Sequence, residues 1–166
     1  MAANSSTFTL TTPSDREIVI TRMFDAPREL VFKAITDPTL IPRWWGPRRY
    51  ETIVDKMEPR VGGTWRFINK DADGNEFAFN GVYREIVPPE RVVQTFEFEP
   101  MPGHVSVDTM TLEEVDGKTK LTSRSLFDSR EDRDGMMQSD MESGVRETYD
   151  RFEELVQEVQ KNQRAA

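Results

Sequence analysis

Two side chains offer the clearest opportunity for acid–base chemistry, the single histidine His104 and the nearby Asp108. Both fall on the same side of a predicted strand, but four residues along a strand span about 13 Å, so their polar atoms cannot meet without a bulge. Ser125 is a better partner for Asp108, because a predicted hairpin places the two opposite each other. A nucleophilic serine also needs a base and an oxyanion site, and we find neither in the sequence. We therefore expect His104 at a rim, no catalytic residues, and an Asp108 that is either water-bound or orients a ligand.

Two short motifs resemble metal and phosphate sites. Residues 71–75 look like a calcium loop, yet their glycine stands fourth rather than sixth and no glutamate follows at the twelfth position. Residues 117–119 lack the earlier glycine of a phosphate loop and lie between two predicted strands. Both motifs are therefore predicted to be hairpin turns. Because the chain has no cysteine and one histidine, thiolate sites and multi-histidine metal sites are excluded. We expect no metal and no cofactor.

The charge of the chain limits the partners it can have. Its 30 acidic and 22 basic residues give a formal charge of −8, the wrong sign for a phosphate backbone or an anionic membrane surface. Residues 128–166 contain eleven acidic and six basic side chains, a difference of −5, so most of the excess lies near the C-terminus. No apolar run is long enough to span a bilayer, and the N-terminus has no basic start or long apolar run typical of a signal peptide. A cytoplasmic protein without a nucleic-acid partner is expected.

Hydrophobic periodicity predicts one strand, two short helices, six antiparallel strands and a long helix. The first strand covers Glu17 to Phe24, a helix begins near Pro27, and a short second helix occupies about residues 38–45. The later strands are predicted at about residues 50–57, 63–70, 76–87, 91–98, 104–114 and 118–127. A long amphipathic helix, capped by Ser129, follows them.

This order of elements predicts an α+β fold of the helix-grip type. A curved antiparallel sheet of six to seven strands that wraps the long C-terminal helix buries the apolar faces of both at once. The two short helices after the first strand complete the architecture. We expect a single domain over residues 16–160, with flexible tails at residues 1–15 and 161–166.

The Asp-Gly turn after Val115 sets the register of the last hairpin. If Val115 pairs with Lys118, two pairs face each other on the inward face, Met110 with Ser123 and Asp108 with Ser125. Charged residues and threonines then occupy the outward face. The inward face of this hairpin is therefore predicted to mix apolar and polar side chains.

On the preceding strands the aromatic residues share one parity, so one sheet face is dense in rings. A packed core is one interpretation, but rings, methionines and polar side chains together favour an adaptable wall around a space. The Trp44-Trp45 pair is either part of that wall or a mobile lid, and we favour the wall. The predicted ligand-binding residues are Trp45, Trp65, Phe67, Phe77, Phe79, Tyr83, Phe96, Asp108, Met110, Ser123, Ser125, Phe127, Met137 and Met141.

Several motifs together resemble one family. They are Ala26-Pro27 with Val31-Phe32, Trp44-Trp45-Gly46-Pro47, residues 60–65, residues 81–95, and residues 141–144 leading to 149–152. The sequence is similar in this respect to bacterial homologues of the activator of heat-shock-protein-ninety ATPase, within the START-like (SRPBCC) helix-grip superfamily. The resemblance runs from about Glu17 to Val159 and implies a single domain with an internal apolar cavity and no shared catalytic residues. Eukaryotic activators carry a further chaperone-binding domain, for which this sequence shows no counterpart.

Three functions remain as hypotheses. The first is non-catalytic binding of a small hydrophobic or aromatic molecule in a cavity between the sheet and the C-terminal helix. The second is a co-chaperone-like module whose partner is a chaperone or another protein. The third, a polyketide cyclase-like enzyme, would need inward acid–base residues within hydrogen-bond reach, and the sequence offers few of them.

Overall fold

The computed structural model describes residues 8–165 of the chain. Eight strands form one antiparallel sheet in the order β1-β2-β8-β7-β6-β5-β4-β3. The strands are β1 (Thr9–Thr11), β2 (Glu17–Phe24), β3 (Glu51–Met57), β4 (Thr64–Lys70), β5 (Glu76–Val87), β6 (Arg91–Phe98), β7 (Val105–Val115) and β8 (Lys118–Leu126). The helices are α1 (Arg28–Thr36), a 3-10 turn (Ile41–Arg43), α2 (Arg130–Gln138) and α3 (Met141–Ala165).

The predicted helix-grip architecture is confirmed. The six strands predicted between residues 50 and 127 are found with their ends shifted by at most one residue. The hairpin of β7 and β8 has the predicted register, with Val115 opposite Lys118, Met110 opposite Ser123 and the aspartate opposite Ser125. The two-residue Asp-Gly turn explains this agreement, because its length fixes the pairing of every later position.

The sheet contains one strand more than predicted. Thr9–Thr11 pair with residues 19–21 of β2, in a segment predicted to be a flexible tail. A strand of three residues is too short to give a readable alternation, so only its neighbour in space reveals it. Residues 1–7 of the predicted tail lie outside the described residues. At the other end α3 continues to Ala165, beyond the predicted domain limit at residue 160.

The predicted long helix is two helices, which corrects the sequence interpretation. Ser129 caps α2 as expected, accepting a hydrogen bond from the backbone N–H of Asp132 at 3.0 Å. The helix then ends at Ser139, and Asp140 adopts a left-handed backbone conformation with φ of 60°. The apolar periodicity continues across this break, so the sequence pattern gave no sign of it. Likewise, the predicted short helix at residues 38–45 is a single 3-10 turn.

The core lies between α3 and the concave face of the sheet. The Phe152 ring of α3 packs 4.7 Å from Phe24 and 4.3 Å from Trp44, measured between ring centroids. Trp44 is further fixed because its indole N–H donates to the carbonyl of Ala34 at 2.9 Å. These contacts hold the terminal helix against the sheet. In the described part of the chain, no helix combines the length and apolar character needed to cross a bilayer.

Candidate functional site: a cavity between sheet and terminal helix

A cavity of about 340 Å³ lies between the concave face of the sheet and α3. Strands β4 to β8 supply one wall, and residues of α2 and α3 supply the opposite one. The loop after the 3-10 turn closes one side with Trp45, Gly46 and Pro47. The cavity is partly enclosed, and its volume is at the lower end of the range found for small-molecule sites.

The part of the wall formed by β4 to β6 is aromatic. Phe67 on β4 is paired with Phe79 on β5, so the two side chains point to the same face of the sheet. The Trp45 ring meets both in edge-to-face geometry, at centroid distances of 5.1 Å and 5.2 Å. Phe96 on β6 extends the cluster, 5.5 Å from Phe79. These rings support one another and present apolar surface to the cavity.

The part of the wall formed by β7 and β8 carries most of the polar groups of the cavity, beside Met110 and Leu121. Its centre is a row of three paired residues that runs across the strands, Gln94 on β6, Asp108 on β7 and Ser125 on β8. Ser106 and Ser123 lie on the same inward face and also line the cavity. The cavity therefore has an aromatic side and a hydroxyl- and carboxyl-bearing side.

Asp108 is the ionisable centre of the polar side. The exposed part of this half-buried residue faces the cavity rather than the outside of the protein. Loss of hydration raises the pKa of its carboxyl to about 6, against the opposing effect of hydrogen bonds from Ser125 and Ser106. The Ser106 hydroxyl donates to Asp108 Oδ1 at 3.4 Å. Asp108 is thus mostly ionised at neutral pH, and becomes neutral in mildly acidic solution.

Tyr149 of α3 faces this polar row from the opposite wall. Burial raises the pKa of its phenol to about 12, although a hydrogen bond with Ser123 acts in the other direction. Its hydroxyl is therefore neutral over the physiological range. Its backbone carbonyl accepts a hydrogen bond of 2.5 Å from Nη1 of Arg22, which also forms an ion pair of 3.3 Å with Asp150. Arg22 is only 3% exposed and joins β2 to α3 instead of lining the cavity.

The structure brings most of the predicted wall residues together around the cavity. They are Trp45, Phe67, Phe79, Tyr83, Phe96, Asp108, Met110, Ser123, Ser125, Phe127 and Met141. Their role in binding a ligand stays a prediction. Trp65, Phe77 and Met137 do not line the cavity, which corrects three of the predicted positions.

Each of the three corrections has a local cause. Trp65 is 1% exposed and lies flat against the sheet, where its indole nitrogen would be 2.4 Å from a Cβ at Gly81. Phe77 has the right parity but packs edge-on against Tyr50, at a centroid distance of 5.9 Å, and does not line the cavity. Met137 of α2 packs against the core outside the cavity lining, whereas its neighbour Met136 lines the cavity.

The sequence interpretation also missed several wall residues. Gln94 lies two residues before Phe96 on the same strand, so the alternation of side chains already predicts that it faces the cavity. Tyr149 belongs to the predicted amphipathic helix and is absent from the predicted ligand-binding residues, although a tyrosine facing inward-pointing serines can act as a hydrogen-bond partner. Met136 gave no such signal, because its position depends on the helix break.

The remaining sequence candidates lie away from the cavity. His104 is exposed, and its Nδ1 is 2.7 Å from Asp132 Oδ1, so it does not form a dyad with Asp108. The calcium-like run at residues 71–75 forms the turn between β4 and β5. Asp71 accepts hydrogen bonds there from the backbone N–H groups of Asp73 and Asn75, both at 2.9 Å. This carboxylate therefore organises a turn, as Asx residues commonly do.

A family model matches most of this chain. The family is described as Activator of Hsp90 ATPase homolog 1-like protein, and the match covers residues 25–157. No curated protein sequence matches the chain significantly. The matched residues include the whole cavity wall except Ile20 of β2.

Solved structures from several bacteria share the fold. A protein from Rhodobacter sphaeroides is 23% identical with a TM-score of 0.83, over 90% of this chain and 97% of its own. A protein from Arthrobacter aurescens is 25% identical with a TM-score of 0.83, over 90% and 91% of the two chains. An AHSA1 protein from Silicibacter pomeroyi is 20% identical with a TM-score of 0.69, over 88% and 99%. These likenesses extend over nearly the full length of each structure and support one shared architecture.

Proposed function

The chain belongs to the family of Activator of Hsp90 ATPase homolog 1-like proteins, and we propose that it binds a small hydrophobic or aromatic molecule without transforming it. The observation that carries this proposal is the ring-lined cavity of about 340 Å³ between the sheet and α3. Phe67, Phe79, Phe96 and Trp45 offer ring faces and edges that suit a flat or aliphatic molecule. Methionines 110, 136 and 141 line the same space and can adapt to its shape.

Energetics also favour an occupied cavity. At roughly 24 cal/mol per Å³, a rigid and empty space of this volume would cost about 8 kcal/mol. The net stability of a domain is only about 5 to 15 kcal/mol. Water bound to the polar side offsets part of this cost, and an apolar molecule against the rings would offset more. A ligand is therefore expected to stabilise the fold.

The absence of catalysis is proposed from the chemistry of the wall. Asp108 is the one carboxyl group among the described cavity-lining residues, and those residues include no histidine, lysine or arginine. The described cavity-lining residues include no histidine or lysine that could activate the neighbouring serines as nucleophiles in the usual way. The site is better suited to holding a molecule than to transferring its protons.

A cavity-filling variant tests the proposal. Ser123→Phe should occupy the space, and Thr122→Phe places the same ring on the outward face of β8 as a matched control. A ligand at one hundred times its Kd should stabilise the wild type and the control by about 2.7 kcal/mol, or roughly 5 to 10 °C in Tm. Ser123→Phe should show no such gain in differential scanning fluorimetry. Equal gains in all three proteins would place binding elsewhere and contradict the proposal.

The family description supports a second candidate function, that of a co-chaperone-like module. This candidate predicts that the purified protein raises the ATPase rate of a chaperone of the ninety-kilodalton heat-shock class. A coupled ATPase assay with and without the protein measures this directly. An unchanged rate at saturating protein would exclude activation, and leaves the cavity proposal unaffected.

A further inference from the structure

We propose that the cavity selects molecules that join an apolar or aromatic body to a hydrogen-bond donor, with a protonated amine preferred, and that it rejects carboxylates. This inference rests on the proposed ligand-binding function and specifies the chemistry of the ligand. It follows from the way the polar and aromatic side chains are distributed around one space.

The first step is the position of Asp108 relative to the rings. On β6, Phe96 and Gln94 are two residues apart and face the same side, and they pair with Ser106 and Asp108 of β7. The aromatic cluster and the carboxylate therefore occupy neighbouring rows of one wall. A ligand with its polar group at Asp108 would place its body against Phe96 and Phe79 without crossing the cavity.

The second step concerns charge. The described residues that line the cavity include one carboxylate and no cationic side chain. The buried cation Arg22 does not line the cavity, because its guanidinium is engaged by the carbonyl of Tyr149 and by Asp150. A bound carboxylate would lie beside Asp108 with no cation to balance the pair, which is costly in a poorly hydrated site. Anionic ligands are thus disfavoured.

The third step concerns hydrogen bonding. The groups that face Asp108 are the hydroxyls of Ser106 and Ser125, the amide of its cross-strand neighbour Gln94, and the neutral phenol of Tyr149. A carboxylate accepts more hydrogen bonds than two hydroxyls provide, so it has capacity for a donor from the ligand. A protonated amine supplies several donors and the opposite charge. The faces of nearby aromatic rings add a further attraction for a cation.

Four probes of one shape separate these effects. Naphthylmethylamine, naphthylmethanol, methylnaphthalene and naphthoate share a ring system and differ in the polar group. Isothermal titration near neutral pH should rank them in that order for the wild type, with naphthoate last. In Asp108→Asn the amine should lose on the order of tenfold to a hundredfold in affinity, and naphthoate should gain. Asp73→Asn, which removes one exposed carboxylate in the turn between β4 and β5, should leave the order unchanged.

A pH series gives an independent readout. Because Asp108 takes up a proton near pH 6, the affinity of the wild type for the amine should fall as the pH is lowered through that value. Over the same range the affinity for methylnaphthalene should stay constant. Asp108→Asn should remove the pH dependence for the amine. A slope that persists in the variant would overturn the inference.

The outcomes distinguish this inference from the function on which it rests. If methylnaphthalene binds the wild type but the amine shows no preference, or if naphthoate binds as tightly as the amine, the selectivity is wrong and ligand binding stands. If none of the four probes binds the wild type, the proposed function fails and the selectivity fails with it. The melting temperature of Asp108→Asn, measured alongside, shows whether the variant is folded.

Discussion

The aromatic and polar sides of the cavity wall are built by the same sheet face yet relate differently to the stability of the fold. The rings on β4 to β6 interlock with one another and with Trp45, so they serve core packing and cavity lining together. The carboxylate and serines on β7 and β8 contribute little apolar burial, and Asp108 is held at an energetic cost. A purely structural core would gain by replacing this polar side with apolar residues. The polar side therefore contributes less to the stability of the fold than the aromatic side, which agrees with the ligand-binding role proposed for it.

The largest expected effect is on the aromatic side. Phe67 is 2% exposed, and Phe67→Ala removes a ring that contacts both Trp45 and Trp65. We expect a loss of about 3 to 5 kcal/mol in the free energy of unfolding, because the ring is lost and a larger space remains. Urea denaturation of the variant and the wild type measures this loss. Ser123→Ala on the polar side should lower the free energy of unfolding by about 1 kcal/mol or less. A similar loss in both variants would contradict the expected difference between the two sides of the wall.

A smaller and pH-dependent effect is expected at Asp108. Its pKa is about 6 in the folded protein and about 4 in the unfolded chain, so the fold binds the proton more tightly. Its contribution is therefore most favourable below about pH 4 and is lost as the pH rises through about 6. Asp108→Asn should gain stability relative to the wild type over this interval, by up to about 3 kcal/mol. Parallel urea titrations between about pH 4 and pH 8 check this, and a pH-independent difference would contradict it.

The smallest expected effect concerns the hydrogen bond from Ser125. This hydroxyl favours the ionised form of Asp108, so Ser125→Ala should raise the pKa of the carboxyl above about 6. Carbon-13 NMR titration of the Asp108 carboxyl measures the change. Ser106→Ala should act in the same direction but less strongly, since its hydrogen bond is the smaller cause. An unchanged titration curve in both variants would mean that the serines do not regulate the carboxylate.

Much of the sheet could be predicted because its determinants are local. The alternation of side chains gives the inward face, and the Asp-Gly turn gives the register that pairs Met110 with Ser123. The order of elements along the chain predicts the helix-grip architecture, and the structure shows the sheet and the terminal helix that it requires. Parity, however, says which side of a sheet a residue faces and not how far along the strand the cavity extends. For that reason parity alone places Phe77 in the wall, although it packs against Tyr50 instead.

The other differences arise from geometry that no local pattern records. Asp140 adopts a left-handed backbone conformation that separates α2 from α3, although the apolar periodicity continues across it. Gly81 lets the Trp65 indole lie flat on the sheet, a contact between two strands that neither sequence segment reveals alone. Arg22 lies among the inward-facing apolar residues of β2. Its partners, the Tyr149 carbonyl and Asp150, come from α3, so they become visible only once the helix is packed against the sheet.

The two C-terminal helices, which the left-handed residue Asp140 separates, differ in how deeply their side chains are buried. No side chain of α2 is fully buried, whereas Phe152 and Val156 of α3 have no solvent-exposed surface. α2 thus adds partly buried methionines to the core, whereas the fully buried contacts with the sheet come from α3. Substitutions of the buried side chains of α3 are therefore expected to destabilise the fold more than substitutions in α2.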